Sequence, residues 1–394
     1  MKKVLIFGAV EHAIDKAKEL GYETLVIDQN NEIDCIKNAD KFKKIPFEDF
    51  EQCLNFAKEQ KVDGIVNATD FAVLVSSYVS NKMNLPRLDF EVAKLAKNKY
   101  EIRRKMMKKG ITNVPQFFEI GSIEEIESIK SNIKFPVIIK PCSGLGSLHV
   151  YVVDNIEELY NKISEVIEGS FNKKALIETF IKGQEYGAES FVYEGKAHVI
   201  AVLKKNMTDL PYRSELGHSI PSELPENIEE KVKKEVIKLI NAIGIDYGAV
   251  NMDLILTEKN EVYIIDVGAR MGGNAITSHI IPNSLGIDHV GNIIKIAMGE
   301  KNIDLQPKFN IPVATRILDL DEGKILDLPD FSKYYKDKNV IHICFEKKVG
   351  DKIEKYVSDA QRCGFIVVKG ENINGAKKNA LDLRNKINKD IVRG

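Results

Sequence analysis

No stretch of this chain is long and apolar enough to span a membrane, neither charge is in excess, and cysteine is scarce. Each lack removes a class of function. A membrane helix needs about 20 apolar residues in a row. The tempting run at the start, Val4–Val10 in MKKVLIFGAVEHAIDKAKELGY, is short and passes straight into an amphipathic pattern. It reads as the first strand of a sheet, not as a leader peptide. The 394 residues carry 57 basic and 58 acidic side chains, a formal net charge of −1. With no basic excess or basic block, nucleic acid is not an expected partner. The five cysteines (Cys35, Cys53, Cys142, Cys344, Cys363) are scattered, odd in number and without CxxC spacing. Free thiols in a reducing compartment fit best, so a cytoplasmic protein is expected. The seven histidines offer no metal-ligand spacing. What is present is an ordinary globular balance, 44% apolar and 29% charged, in a chain long enough for about two or three domains.

The first hundred residues alternate strand and helix. Val4–Phe7, Glu23–Asp28 and Gly64–Asn67 read as strands, with helical spacing over Glu11–Leu20 and Phe50–Lys58. Such alternation predicts a parallel, doubly wound sheet. Asp28 lies at the distance from Gly8 expected of a dinucleotide fingerprint, but the loop has one glycine where three are needed. A Rossmann-like scaffold forming one wall of a cleft is the preferred reading. A helix is predicted over Phe90–Lys109, ending at Gly110 with Pro115 beyond. From Pro136 to about Arg270 the texture becomes strand, glycine loop and hairpin, interrupted by a helix at Asn227–Ile243. Gly291–Met298 reads as another helix. After Lys301–Pro312 come strand-like runs at Val340–Phe345 and Gly364–Lys369, then a helix from Asn374.

The most informative segment is VNMDLILTEKNEVYIIDVGARMGGN, residues 250–274. Two apolar runs flank a turn-rich stretch. If the hairpin folds symmetrically about Lys259–Asn260, positions whose numbers sum to 519 face each other, and Asp253 lies opposite Asp266. Directly opposed residues have Cβ atoms about 5 Å apart. Two carboxylates that close among Met252, Leu254, Ile265 and Val267 are costly unless a cation joins them. A hard cation is the natural answer, and magnesium shared with nucleotide phosphates suits one or two carboxylates. Arg270 follows, with a donor fork suited to phosphate or carboxylate. The plain alternative, a solvated hairpin, is weakened by the apolar faces on both strands.

Two further elements are weaker alone. In FPVIIKPCSGLGS a strand ends in Lys140 and enters a loop holding Gly144 and Gly146. Such a loop can close backbone N–H groups round phosphate, although it is not a Walker A loop. In ALIETFIKGQEYGAES an apolar strand meets Glu178, then a connector, then Glu185. A connector can offer backbone groups to a purine edge, and a carboxylate can accept from ribose; an ordinary hairpin with exposed glutamates is the rival.

Taken in order, Lys99 before a GxxxxP turn, Lys140 with its glycine loop, Glu178, Glu185, Asp253, Asp266 and Arg270 resemble the ATP-grasp superfamily. The likeness is to the branch holding biotin carboxylase, carbamoyl-phosphate synthase and the L-amino acid ligases. It implies an α/β fold, α+β in the grasp region. The expected parts are a Rossmann-like domain at 1–97, a grasp domain at 98–303 with its lid at about 112–182, and a small α+β domain at 304–394. It further implies that Lys99 and Lys140 bind ATP phosphates under a lid loop of Ser143, Gly144, Gly146 and Ser147. Glu178, Thr179 and Ile181 would hold adenine, and Glu185 the ribose. Asp253 and Asp266 would ligate Mg2+, with Mn2+ as a substitute, and Arg270 would stabilise the transferring phosphoryl group. Two departures stand out. The usual metal-site asparagine is Gly268 here, for which Asn274 is a candidate substitute, and a usual lid glycine is His149.

The expected activity is an ATP-dependent ligase joining a small-molecule carboxylate to an amine, or a thiol, through an acyl phosphate. Arg213, His218, Gly268 and Asn274 are candidate substrate contacts. A bicarbonate- or carbamate-using carboxylase-like or purine-pathway-like relative and a non-catalytic ATP sensor are the rival readings. No glutaminase or biotin-carrier segment is evident. A homodimer through the front domain is expected by analogy.

Overall fold

The computed structural model describes all 394 residues except Thr112, Leu145, Ser147 and Pro211. Its front unit is a four-stranded parallel sheet, in the order Lys41–Lys44, Glu23–Asp28, Lys3–Phe7, Gly64–Asn67. Val4 to Phe7 are wholly buried, as expected of a strand covered on both faces. Gly8 turns the chain at φ +96°, where a Cβ would come within 2.7 Å of Thr69 Cγ2. Asp28 closes that same turn, accepting from the N–H groups of Ala9 (2.8 Å) and Asn30 (2.9 Å). Its place after Gly8 therefore serves the loop.

The helix predicted over Phe90–Lys109 is two helices, Phe90–Ala96 and Lys99–Lys108. Asn98 is extended (φ −125°, ψ 104°), and its side chain accepts from the N–H groups of Tyr100 and Glu101. A side chain that satisfies the first free amides starts a new helix. Lys99 thus stands at a helix start, not in mid-helix.

Two sheets follow. The smaller, ordered Phe117–Ile120, Ala175–Thr179, Val137–Pro141, Tyr151–Val153, lies within the stretch expected to form the lid. Helix Ile156–Gly169 buries Leu159, Ile163 and Val166 against Val137, Ile139 and Ile177. That spacing is one apolar stripe of a helix. The larger sheet has eight strands: Val262–Gly268, Gly248–Leu256, Gln184–Tyr193, Lys196–Met207, Glu215–Ile220, Val313–Ile317, Gly364–Lys369, Val340–Phe345. Helix Glu226–Ile243 covers it with Val232, Val236, Leu239, Ile240 and Ile243. Deleting one such side chain, as in Leu239→Ala, costs roughly 2–5 kcal/mol. Ser219 pairs with Ala314 and Ile220 with Val313, so the sheet runs unbroken across the boundary drawn at 304. Helix Ile373–Asp390 packs on its far end. The cysteines are free thiols. Among the described residues no helix is long and apolar enough to cross a membrane.

Candidate active site

Asp253 and Asp266 are register partners in the hairpin of Gly248–Leu256 and Val262–Gly268. The hairpin is not symmetric. Near the turn, Leu256 faces Val262 and Leu254 faces Ile264, one residue off the expected register. A bulge at Ile265 restores it, so that Asp253 meets Asp266 and Asn251 meets Gly268. Bulges re-aim backbone as well as side chains. The Ile265 carbonyl accepts from Arg103 Nη2 (2.8 Å) and Lys140 Nζ (3.4 Å).

Each aspartate faces an ammonium. Lys99 Nζ is 3.2 Å from Asp266 Oδ1, and Lys205 Nζ is 2.7 Å from Asp253 Oδ1. Burial opposes ionisation of Asp266, yet Lys99 and Lys140 hold its pKa down at about 2. Its side chain stays 42% open, into the two cavities it lines. Lys205 reaches Asp253 from two strands away. Gly187 is the register partner of both Asp253 and Leu203, so no side chain stands between the two strands at that position. Burial works against the charge on Lys205, but Asp253 and Glu215 outweigh it and raise its pKa.

Beside this pair lies a buried ionic triad. Glu178, 2% exposed, takes Arg103 on both oxygens and Lys140 (2.5 Å) on Oε2. Burial penalises all three charges. It lowers the pKa of Lys140, and Arg103 adds to that effect. The two cations nevertheless hold Glu178 ionised, below the usual carboxylate range. The Glu178 carboxylate therefore faces Lys140. Thr179 gives its N–H to Gln116 O (2.9 Å), and Ile181 follows half-buried in the connector. Glu185 is engaged by Arg213, whose Nε lies 3.0 Å away, so Arg213 spends its charge there. Ser143 is tied to Ser170 and Phe171 through its own backbone. Lys99 Nζ lies 3.4 Å from Gly144 O. A Cβ on Gly144 would come within 2.9 Å of Pro141, and Gly146 is left-handed at φ +64°. Ser147 lies outside the described residues. His149 keeps the left-handed backbone (φ 56°) that a glycine would adopt, and its ring is held 3.0 Å from Glu165.

Arg270 is anchored to Asp70 of the front unit (3.4 Å), which also takes Lys97 (2.5 Å). Asn274 does not reach the aspartates with a free group. Its amide donates to Glu215 (2.8 Å), and its oxygen accepts from Arg362 (2.7 Å). His218 is buried, with Nδ1 2.9 Å from Glu215 Oε1. Asn251 shares a face with Asp253, since alternate residues of a strand point the same way. Its Nδ2 donates to Glu189 (3.0 Å), which also accepts from Gly272 N and faces His289 Nε2 (3.1 Å). With Nδ2 turned to Glu189, the amide carbonyl of Asn251 points elsewhere.

Two cavities meet here. One of about 110 Å³ lies between the sheets, lined by Lys140, Glu185, Met207 and Arg213. The other, about 780 Å³, is lined by Arg270, His218, Asn251, Gly268, Asn274 and residues of the front and C-terminal units. They share Lys99, Gly144, Gly146, Lys205, Asp253 and Asp266. Among the described residues no group of three or more His, Cys, Asp or Glu side chains is gathered as a metal site. Two carboxylates at a junction suit a small hard cation shared with phosphate oxygens, not one caged by protein alone. Sequence reasoning missed Arg103, Lys205, Glu189 and Asn251. Arg103 had a signal, being one helical turn after Lys99, and Asn251 another, being two residues before Asp253. Lys205 had none.

Residues 133–278 match the family model for the ATP-grasp domain, and residues 316–392 match L-amino acid ligase C-terminal domain 2. The carbamoyl phosphate synthase large chain of Thermotoga petrophila is 26% identical over 86% of this chain and 31% of its own length. The chain thus spans about a third of that relative. The L-arginine-specific L-amino acid ligase of Bacillus subtilis is 20% identical over 78% of this chain and 75% of its own. Among solved structures, phosphoribosylglycinamide synthetase from Anaerococcus prevotii matches with TM-score 0.77 and 26% identity, covering 100% of this chain and 99% of its own. The L-amino acid ligase from Bacillus licheniformis matches with TM-score 0.86 at 22% identity and the same coverage, a likeness of fold.

Proposed function

We propose, from the premise that this chain is an ATP-grasp protein ending in an L-amino acid ligase C-terminal domain, that it joins a small-molecule carboxylate to an amine at the expense of ATP. The observation that carries this reading is the junction of the two cavities. Nucleotide in the narrower cleft brings its γ-phosphate to Lys99, Lys140 and the aspartates. A substrate in the wider cavity approaches the same point from the other side. Its carboxylate oxygen attacks the γ-phosphorus, the bond to the β–γ bridging oxygen breaks, and ADP leaves. The amine nitrogen then attacks the acyl carbon, phosphate departs, and the nitrogen gives up a proton. The protein's part is positioning and neutralisation by fixed cations. A cavity of about 780 Å³ is in the range of a small-molecule site, far larger than bicarbonate requires.

In this reading Asp253 and Asp266 would hold magnesium, and Asn251, the register partner of Gly268, would offer its amide oxygen as a third ligand. The ion supplies charge neutralisation to the phosphate oxygens. Lys99 and Lys205 lie against the same carboxylates, and Lys99 with Lys140 favours the ionised form of Asp266. The test is ADP release with pooled amino acids, with bicarbonate and with neither. Turnover only with the amino-acid pool supports the ligase. Bicarbonate-stimulated turnover selects the carboxylase-like rival, and tight ATP binding without turnover selects the sensor.

A further inference from the structure

We propose that the wall of the large cavity built by Glu11, His12, Asp15, His279 and His342 is a side-chain subsite selecting a substrate with a basic side chain, an ammonium or guanidinium. The proposal deepens the ligase reading and rests on it for the identity of the substrate as an amino acid.

The wall is assembled from three distant stretches, and two are irregular where they supply a ring. His279 sits in the turn Ile276–Ile280, which is wound wide: Ile280 N bonds back to Ala275 O (2.8 Å), five residues earlier. Wide turns of this kind recur at functional sites. His342 follows a register shift in strand Val340–Phe345, between Val340 and His342. The two rings stack, with centroids 4.1 Å apart and planes at 25°. His12 comes from the first turn of helix Glu11–Glu19 in the front unit. All three histidines line the cavity that also holds Arg270 and Asp266.

Charge decides what this wall accepts. Burial holds His12 and His279 at about 4 and lowers His342, against the pull of Asp15 and Glu11. The rings are therefore neutral near pH 7, and a neutral imidazole offers one lone-pair nitrogen to a donor. Among the described residues, the rings of His12 and His342 make no hydrogen bond to the protein. Glu11 and Asp15 lie one helical turn apart on the same face. Among the described residues, neither has a cationic partner. The cations lining the cavity sit against other groups: Lys97 and Arg270 on Asp70, Lys99 on Asp266, Lys205 on Asp253, Arg362 on Glu346. The unbalanced charge at this wall is negative. A basic side chain gains two carboxylates and acceptor nitrogens, with a flat stacked face for a guanidinium. An acidic side chain meets like charge and imidazoles that resist protonation.

The test is calorimetric titration of L-arginine, L-lysine, L-glutamine and L-glutamate into the full chain saturated with magnesium and a non-hydrolysable ATP analogue, with ADP release measured in parallel with ATP. The basic amino acids are expected to bind at least ten-fold tighter than glutamine, with glutamate weakest. The double variant Glu11→Gln/Asp15→Asn should lose most of that ratio, while its affinity for the ATP analogue, a check on folding, stays the same. Equal binding of all four, a preference for glutamate, or an unchanged ratio in the variant overturns the subsite. Selective arginine binding without ADP release supports the subsite and counts against the ligase reading alone.

Discussion

Replacing Glu178 with glutamine isolates the charge that holds Arg103 of helix Lys99–Lys108 and Lys140 of the smaller sheet together. Glu178 is 2% exposed, and its carboxylate is the shared anion of Arg103 and Lys140. Glutamine keeps the shape but leaves two buried cations, with its own amide oxygen and the Ile265 carbonyl as neutral acceptors. Breaking a buried pair by removing one partner costs about 3–5 kcal/mol. At about 2–4 °C per kcal/mol for a unit of this size, the melting temperature should fall by roughly 6–20 °C. The assay is thermal and urea unfolding of wild type and Glu178→Gln at pH 7. Two internal controls test the cause. In the proposed reading nucleotide phosphates would bring negative charge to Lys140, so the deficit should narrow with a magnesium–ATP analogue. The double variant Glu178→Gln/Lys140→Met should recover part of the loss, because one uncompensated cation has gone. A melting shift under about 2 °C, or a double variant no better than the single one, would refute the reasoning.

The metal assignment predicts that Asp266→Asn loses turnover by at least about 100-fold with an unchanged circular dichroism spectrum; wild-type rates would sink it. For the third ligand, Asn251→Ala should weaken Mn2+ binding to the protein–nucleotide-analogue complex about ten-fold by paramagnetic resonance. Gly268→Asn in that background should restore part of it, and unchanged Mn2+ affinity would remove Asn251 from the site. The pH dependence has a definite sign. His12 and His279 are held at about 4 in the fold against 6.5 ordinarily, so between these values the unfolded chain binds protons that the fold refuses. Their contribution is complete above about pH 6.5 and is lost as pH falls towards 4. Unfolding free energy measured across that window should decline with acidity and do so less steeply in His279→Phe; an equal slope would contradict the assignment.

The parts legible in the sequence depend on short-range periodicity. The front sheet declared itself because a strand buried on both faces is apolar throughout, as Val4–Phe7 is. The break at Asn98 escaped because Ala96 and Lys97 do not interrupt the helical pattern, although an asparagine before Lys99 was a usable signal for a new start. The aspartate pair was placed correctly through a partly wrong construction. The turn is offset by one residue, and the bulge at Ile265 cancels the offset before Asp266. Nothing in an apolar run marks which isoleucine bulges. Its consequence is the carbonyl that turns to Arg103 and Lys140, so the feature that rescued the register also ties the hairpin to helix Lys99–Lys108 and the smaller sheet.

Contacts across strands follow a different logic. Lys205 meets Asp253 because the strand between them presents Gly187 on that face. His279 stacks on His342 because a wide turn and a register shift coincide in space. Both depend on strand order, which local pattern does not encode. A charge also looks the same in sequence whether it awaits a ligand or another side chain. Arg213 and Glu185 read as separate ligand contacts, yet they form one ion pair. A nucleotide in the narrower cleft would therefore meet a neutralised pair at Glu185. It would find its strongest electrostatic purchase at Lys99 and Lys140, where Mg2+ held by the aspartates would add to the positive charge. That places the cation, and not the glutamate, as the determinant of nucleotide affinity: removing Mg2+ should weaken ATP binding more than Glu185→Gln does. Calorimetry with and without chelator decides it, and a larger loss from Glu185→Gln would reverse the order.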